Sequence, residues 1–459
     1  MNRRSLIIYG LSLILMVSTL SVPALSQQKD FSELEKTVLD ELASSKIPGA
    51  AIVIVSGDRV VFSKGFGVSN AETGTPVTPD MLFRLGSTTK MFTAAALVSL
   101  SEEGKLDMNQ PIANFTKGLD PKIARVSAHQ LLSHTAGIID NAPMYGLHDD
   151  SALREEVRSW KEDRFFTEPG KVISYSNPGY WLAGYVIEEA SGKSYADQLS
   201  ESLFKPLGMS RTTLRPTMAM TYPLAQGHNT NREGKFEVIR PMADNSASWP
   251  AGSIFSSALD LSRFVIAFLG GGKVDGKQVL SPAVIAKLST PQTAVPGSDN
   301  KYAYGLMITN YRGVRIVEHG GARSGYGSTI RMSPDHRFGV IILANRSGAS
   351  LNRSAEKAME LMLPLNASKD EPQKELPMNE SEMTRYAGVY AQGQTRYELL
   401  VKDGKLYGKQ GSAEGEIRKT GENRFEIKMP NGSQQFALVP GSDGKTEYLH
   451  ISLRSAKRQ

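Results

Sequence analysis

Apolar residues recur every three or four positions from Phe31 to Ser45. Phe31, Leu34, Val38 and Leu42 share one face, which predicts an amphipathic helix ended by Pro48-Gly49. Two β-branched runs follow, Ala51 to Val55 and Arg59 to Gly65, joined through Ser56-Gly57-Asp58 in a hairpin signal. From about residue 80 to 270 the pattern is mostly helical, broken often by Gly and Pro; Tyr180 to Ala190 and Leu259 to Leu269 carry apolar residues at helical spacing. Strand patterns return at Val314 to Glu318, Ser328 to Met332 and Phe338 to Ala344. The last two are linked by the turn Ser333-Pro334-Asp335-His336. Asn352 to Leu363 reads as a closing helix.

Strands at both ends of a helical middle predict an α+β domain over residues 27–363. Its expected form is one antiparallel sheet built from both ends of the region, flanked by helices, with an inserted helical lobe. Residues 364–380 are rich in Pro, Lys, Glu and Asp without periodicity and read as a linker. Residues 381–459 change character. Short alternating runs such as Tyr397 to Val401 are separated by Asp403-Gly404, Asn431-Gly432 and Asp443-Gly444, strong hairpin signals that predict a small all-β barrel or sandwich.

Composition narrows the picture. A chain of 459 residues with 40% apolar and 22% charged content is an ordinary globular protein, too long for a single core of usual size. Asn2-Arg3-Arg4, the apolar stretch Leu6 to Leu20 and Ala24-Leu25-Ser26 resemble a cleaved export signal, so residues 1–26 are expected to direct the chain to the periplasm or outside the cell, with no stable membrane span after cleavage. Arg3 and Arg4 are the only charges there, and removing them takes the formal charge from +6 to +4. No Lys/Arg block with interleaved aromatics exists, so nucleic acid is not an expected partner. The absence of cysteine excludes disulfides, a thiol nucleophile and thiolate metal sites.

The chemistry concentrates in three places. Ser87 and Lys90 stand three apart at the predicted start of a helix, Thr88 to Ser101, where they share a face. A hydroxyl becomes a nucleophile when a neighbouring base takes its proton, and an uncharged amine can do so. Lowering a lysine pKa to near 7 corresponds to about 4–5 kcal/mol, which burial or a second cation can supply. Tyr175 and Asn177 lie two apart before Pro178; an extended stretch would put both on one face, the phenol to relay a proton and the amide to hold Lys90 and a substrate carbonyl. His319-Gly320-Gly321 follows a strand. Its glycines allow a substrate backbone close to the strand edge, and the Ala322 N–H can join that of Ser87 as an oxyanion hole. Each feature has a plainer reading: Ser87 as a helix cap, Lys90 as a surface lysine, Tyr175 as half-buried, Asn177 as a turn residue, and His319 as packed at a glycine bulge.

Taken together, Phe83 to Lys90, Leu131-Leu132-Ser133-His134-Thr135-Ala136-Gly137, Tyr175-Ser176-Asn177 with Gly179-Tyr180, Lys205-Pro206-Leu207-Gly208-Met209 and His319-Gly320-Gly321 resemble the serine β-lactamase/penicillin-binding family over about residues 31–360. The closest likeness is to its class C-like branch of D-aminopeptidases, D-alanyl-D-alanine carboxypeptidases and esterases. The resemblance implies Ser87 as acylated nucleophile, Lys90 and Tyr175 as acid–base pair and His319 in the third motif, with no cofactor. The implied partners are small esters or peptides with D-residues, peptidoglycan fragments among them. The C-terminal part resembles the small β-barrels that some members carry, and it is expected to cap the cleft.

One departure bears on substrate. Many family members have Lys-Thr-Gly or Lys-Ser-Gly where this chain has His319-Gly320-Gly321. A histidine of ordinary pKa would be about a quarter charged at pH 7, so the permanent cation for a substrate carboxylate is missing. That favours esterase or D-aminopeptidase chemistry over β-lactam hydrolysis. Arg323, on the same side of the strand as His319 by alternation, could restore the charge or be a surface arginine. A true β-lactamase or carboxypeptidase is the alternative within the enzyme class; a wall-peptide sensor without turnover is the alternative outside it. No G-x-S-x-G occurs, and His129 and His134 lack the H-E-x-x-H spacing, so neither an α/β-hydrolase nor a metal site is expected.

Overall fold

The computed structural model describes residues 29–368, 374–429 and 432–459. The predicted export signal, part of the predicted linker and Asn431 of one predicted turn lie outside them. Helix α1 (Ser32–Ser44) leads into β1 (Gly49–Ser56), β2 (Arg59–Asn70) and β3 (Thr75–Pro76), with a tight turn at Gly57 and Asp58. After the helical middle come β4 (Thr293–Ala294), β5 (Lys301–Tyr302), β6 (Met307–Tyr311), β7 (Val314–Arg323), β8 (Tyr326–Ser333) and β9 (Phe338–Ala344). The nine strands form one antiparallel sheet in the order β4-β5-β6-β7-β8-β9-β1-β2-β3. The N-terminal strands thus dock on the last one, with Ile52 opposite Ile342, as the placement of strand patterns at both ends requires. Three short strands, β4 to β6, carry no clear alternation in sequence and extend the sheet beyond what the pattern predicts.

Strand β1 is apolar almost throughout because both of its faces are covered. Ala50, Ile52 and Ile54 pack in the core formed with α1 and the closing helix. Ala51, Val53 and Val55 pack in the larger core under the helical lobe. Burial on both sides converts alternation into a continuous hydrophobic run. Helix α2 (Thr89–Glu102) is the centre of the larger core, buried from Thr89 to Val98 on every side, and it packs against α3 (Asn177–Ser191). The predicted helix start at Thr88 is corrected by one step: Gly86–Thr88 form a 3₁₀ turn, so Ser87 lies in the turn that feeds α2. The predicted extended pairing of Tyr175 with Asn177 is also corrected. Ser176 caps α3 by accepting from the Gly179 N–H at 3.1 Å. Asn177 is therefore already helical, and Pro178 sits in the first turn, where its missing N–H costs nothing.

The closing helix α4 (Asn352–Met362) has no cap from its own preceding residue. Glu41 of α1, itself buried, supplies one: its carboxylate accepts from the Arg353 N–H at 3.1 Å, the Ser354 N–H at 2.8 Å and the Ser354 hydroxyl at 2.6 Å.

The C-terminal strands, from Gly388 to Arg458, close an eight-stranded barrel. First and last strands meet at Tyr390 and Arg458. Asp403 and Gly404 form a two-residue turn with φ of 50° and 72°, the left-handed pair that a type I′ hairpin needs. The residues read as a linker make contacts at both ends of their span. The Asn366 N–H donates to Arg312 O at 2.8 Å, and the Leu376 N–H to Lys419 O at 2.8 Å. No helix among the described residues is long and apolar enough to cross a membrane.

Glu41→Ala removes the side-chain cap that α1 gives α4 and leaves buried donors unpaired. It is expected to cost about 2 kcal/mol of stability, read as a lower urea midpoint with unchanged slope.

Candidate active site

The turn that carries Ser87 is pressed against the end of β7 by two glycines. Gly86 has a φ of 57°, and a Cβ there would lie 2.7 Å from the Ala322 nitrogen. A Cβ on Gly321 would lie 1.9 Å from Leu85 O and 3.0 Å from the Ser87 nitrogen. Only residues without a side chain let these backbones approach so closely. Leu85 O then accepts from the Ser328 hydroxyl at 2.6 Å and the Thr88 hydroxyl at 3.0 Å, which pins the turn to β8.

Lys90, on the first turn of α2, is fully buried. Its Nζ donates to Asn177 Oδ1 at 2.7 Å, to Ala251 O at 2.7 Å and toward Ser87 Oγ at 3.3 Å. The rings of Tyr175 and Tyr180 lie 4.8 and 5.3 Å from it. Burial pushes its pKa down to about 7; Asp140 opposes the shift, and Arg454 and Arg323 add to it. The surface-lysine reading is thereby excluded. Asn177 is oriented by Asp140, whose Oδ1 accepts from its backbone N–H at 2.9 Å and its side-chain amide at 3.1 Å.

Tyr175 is buried beside Ser87. Burial raises its phenol pKa, while the Ser87 hydroxyl and Arg454 pull the other way. It is therefore a neutral proton donor at physiological pH.

His319 departs from the expected partly charged residue. Burial, then the neighbouring Lys90, push its pKa down to about 3. Its place is the end of a neutral chain of hydrogen bonds. The Ser176 N–H donates to His134 Nδ1 at 3.1 Å, which leaves His134 Nε2–H to donate to the Tyr302 oxygen at 3.2 Å. The Tyr302 hydroxyl donates to His319 Nε2 at 3.3 Å, and His319 Nδ1–H donates to Gly320 O at 2.6 Å. His319 is thus neutral and supplies no positive charge.

The cleft on the His319 side has a volume of about 430 Å³, and Ser87, Gly320, Gly321 and Ala322 line it. Arg323 is neither a surface arginine nor a neighbour of His319. It lines a smaller pocket of about 130 Å³ on the other side of Ser87, with Asn177, Trp181 and Met144. Arg323 donates to Gly252 O at 3.2 Å, while its Nε and Nη2 are buried without partners. Burial and the nearby Arg84 lower its pKa to about 9. Apart from the buried Lys90, the site residues read from sequence therefore line two pockets that share Ser87 and Ala322.

The Beta-lactamase family model matches residues 34–361. The chain belongs to that family. Among its relatives is the Unguisins hydrolase ungD' of Aspergillus campestris, 31% identical over 70% of this chain and 62% of its own length. The chain spans 62% of the length of the curated relatives it matches. The octameric penicillin-binding protein homologue of Pyrococcus abyssi is 26% identical, with a TM-score of 0.67 over 93% of this chain and 99% of that one. The structure of SurE, 23% identical, shares the fold with a TM-score of 0.77 over 93% of this chain and 98% of that one. Both structural matches extend past the β-lactamase-like domain.

Within this family frame, sequence reasoning missed Asp140, Tyr302 and Arg454. Asp140 stands three residues after Gly137 of the Ser133-His134-Thr135-Ala136-Gly137 stretch, so that motif could have pointed to it. Tyr302 and Arg454 carry no local signal.

Gly321→Ala would force the β7 end away from Leu85. It is expected to lower stability by about 1–3 kcal/mol in urea unfolding, and Gly86→Ala to act in the same direction.

Proposed function

We propose that the protein is an exported serine hydrolase that acts through an acyl-enzyme on Ser87 and cleaves small esters or amides and peptides with D-residues. The observation that carries this reading is the buried Lys90 amine, 3.3 Å from Ser87 Oγ with a pKa lowered to about 7. A lysine in that state is a base and not a counter-ion. It takes the Ser87 proton as Oγ attacks the substrate carbonyl. The N–H groups of Ser87 and Ala322 hold the oxyanion. The proton taken by Lys90 passes through the hydroxyl of Tyr175, which is neutral and beside Ser87, to the leaving group, so both residues end as they began. Water then attacks the acyl carbonyl, gives its proton to Lys90, and the acid departs as Ser87 Oγ is reprotonated. A relative named as a hydrolase, 31% identical, supports hydrolysis as the reaction class.

The neutral His319 supports esters and D-amino amides over β-lactams, since no cation stands in the third motif. Peptidoglycan fragments remain within the proposed substrate class, and the export reading rests on the N-terminal sequence.

Hydrolysis of a short-chain p-nitrophenyl ester, a D-alanine p-nitroanilide and a chromogenic cephalosporin separates the readings. The ester or anilide is expected to turn over, with a loss of about 10³-fold or more in Ser87→Ala. Preference for the cephalosporin would make the protein a β-lactamase. Equal rates for both proteins on all three would favour a binding or sensor role.

The pH dependence follows from Lys90. Its active form is the neutral one, so kcat/KM should rise about tenfold per unit below pH 7 and level off above it. A profile that falls as pH rises through 7 would contradict the lysine base.

A further inference from the structure

The barrel reaches the cleft beside Ser87. Its last hairpin joins the strands Thr446–Ile451 and Arg454–Arg458. It enters the cleft beside Ser87, with Ser452, Leu453 and Arg454 on the wall. The hairpin is held by backbone as well as side chains. Leu453 O accepts from the Tyr175 N–H at 2.7 Å. The Ser455 N–H donates to Ser174 Oγ at 3.1 Å and its hydroxyl to Ile173 O at 2.8 Å. Arg454 grips Asp140 Oδ2 with two nitrogens, Nε at 2.9 Å and Nη2 at 2.6 Å, across 314 positions of sequence. Such a forked contact fixes orientation as well as charge. Asp140 Oδ1 takes both N–H groups of Asn177, so Asn177 can present only its oxygen to Lys90.

We propose that Arg454, carried in by the barrel, is a positioning residue for the Lys90 base, acting through Asp140 and Asn177. The inference rests on the reading of Ser87 as nucleophile activated by Lys90. Its physical content is charge balance together with aim. The groups that bear on the Lys90 amine are the phenols of Tyr175 and Tyr180, the neutral rings of His134 and His319, and the charges of Arg323, Arg454 and Asp140. Asp140 is the one anion among them. With Arg454 in place its charge is matched. Without Arg454 it stands unmatched near a buried ammonium and stabilises the protonated, inactive lysine.

The test is a pH titration of the full chain carrying [ε-¹³C]lysine, with the Lys90 resonance assigned by its absence in Lys90→Met. In Arg454→Gln the midpoint is expected to move up by about one pH unit. In Arg454→Gln with Asp140→Asn it should return toward the wild-type value, and Arg454→Lys should hold it close. The acid limb of kcat/KM should move with the midpoint, so that Arg454→Gln loses about tenfold at pH 6 and recovers most of it at pH 9. An unmoved midpoint in folded Arg454→Gln would overturn the proposal, as would a rate loss equal at every pH, since loosened packing alone would produce the latter. If Arg454→Gln does not fold, Asp140→Asn alone must move the midpoint down, and a fixed midpoint there overturns it too. The titration needs no substrate. It decides the role of Arg454 even if the wild type hydrolyses nothing, an outcome that would count against the hydrolase reading instead.

Discussion

A lysine amine sealed from water, with two oxygen acceptors and a serine hydroxyl as its partners, is the constraint around which this molecule is arranged. Burying an ammonium is costly, and the protein meets the cost by letting the proton leave. Everything that seals Lys90 also places it: α2 carries it, α3 delivers Asn177, and Ala251 supplies a backbone oxygen. The same closeness brings Ser87 against the end of β7, where Gly86 and Gly321 leave no room for a side chain.

Two domains share this site. The sheet and helical lobe hold Ser87, Lys90 and Tyr175, while the barrel holds the counter-charge to Asp140 and one wall of the cleft. Further contacts tie the barrel down, among them Arg424 with Asp299 at 2.7 Å and the hydroxyls of Thr167 and Tyr448 at 2.7 Å. An exposed ion pair such as the first contributes little by itself. The buried hydroxyl pair and the backbone bond from Tyr175 to Leu453 fix the hairpin more firmly.

Much of this was legible in the chain because it is written locally. Helical spacing marked α1, and β-branched runs marked β1 and β9. Asp403-Gly404 specified a turn whose backbone needs two positive φ angles. Ser87, Lys90, Tyr175 and the glycine strand each stand in a short motif, and the structure brings them around one cleft. What could not be read depends on tertiary context. The charge state of His319 is set by burial beside Lys90, and ring type alone predicts the wrong one. Alternation along β7 puts Arg323 on the His319 side, yet it lines the pocket that holds Asn177 and Trp181. Its place before proline predicts an extended Asn177, but the Ser176 cap starts a helix there. Arg454 meets Asp140 only once two domains have folded against each other, and no local pattern reports such a contact.

The central claim is that Ser87 becomes covalently acylated. Mass spectrometry of the intact protein and its peptides, after incubation with p-nitrophenyl trimethylacetate and an acid quench, tests it directly because a hindered acyl group leaves slowly. The account predicts a gain of one acyl group on the peptide that contains Ser87, together with a stoichiometric burst of p-nitrophenol. Release of p-nitrophenol with no adduct, or an adduct carried by another residue, would contradict it.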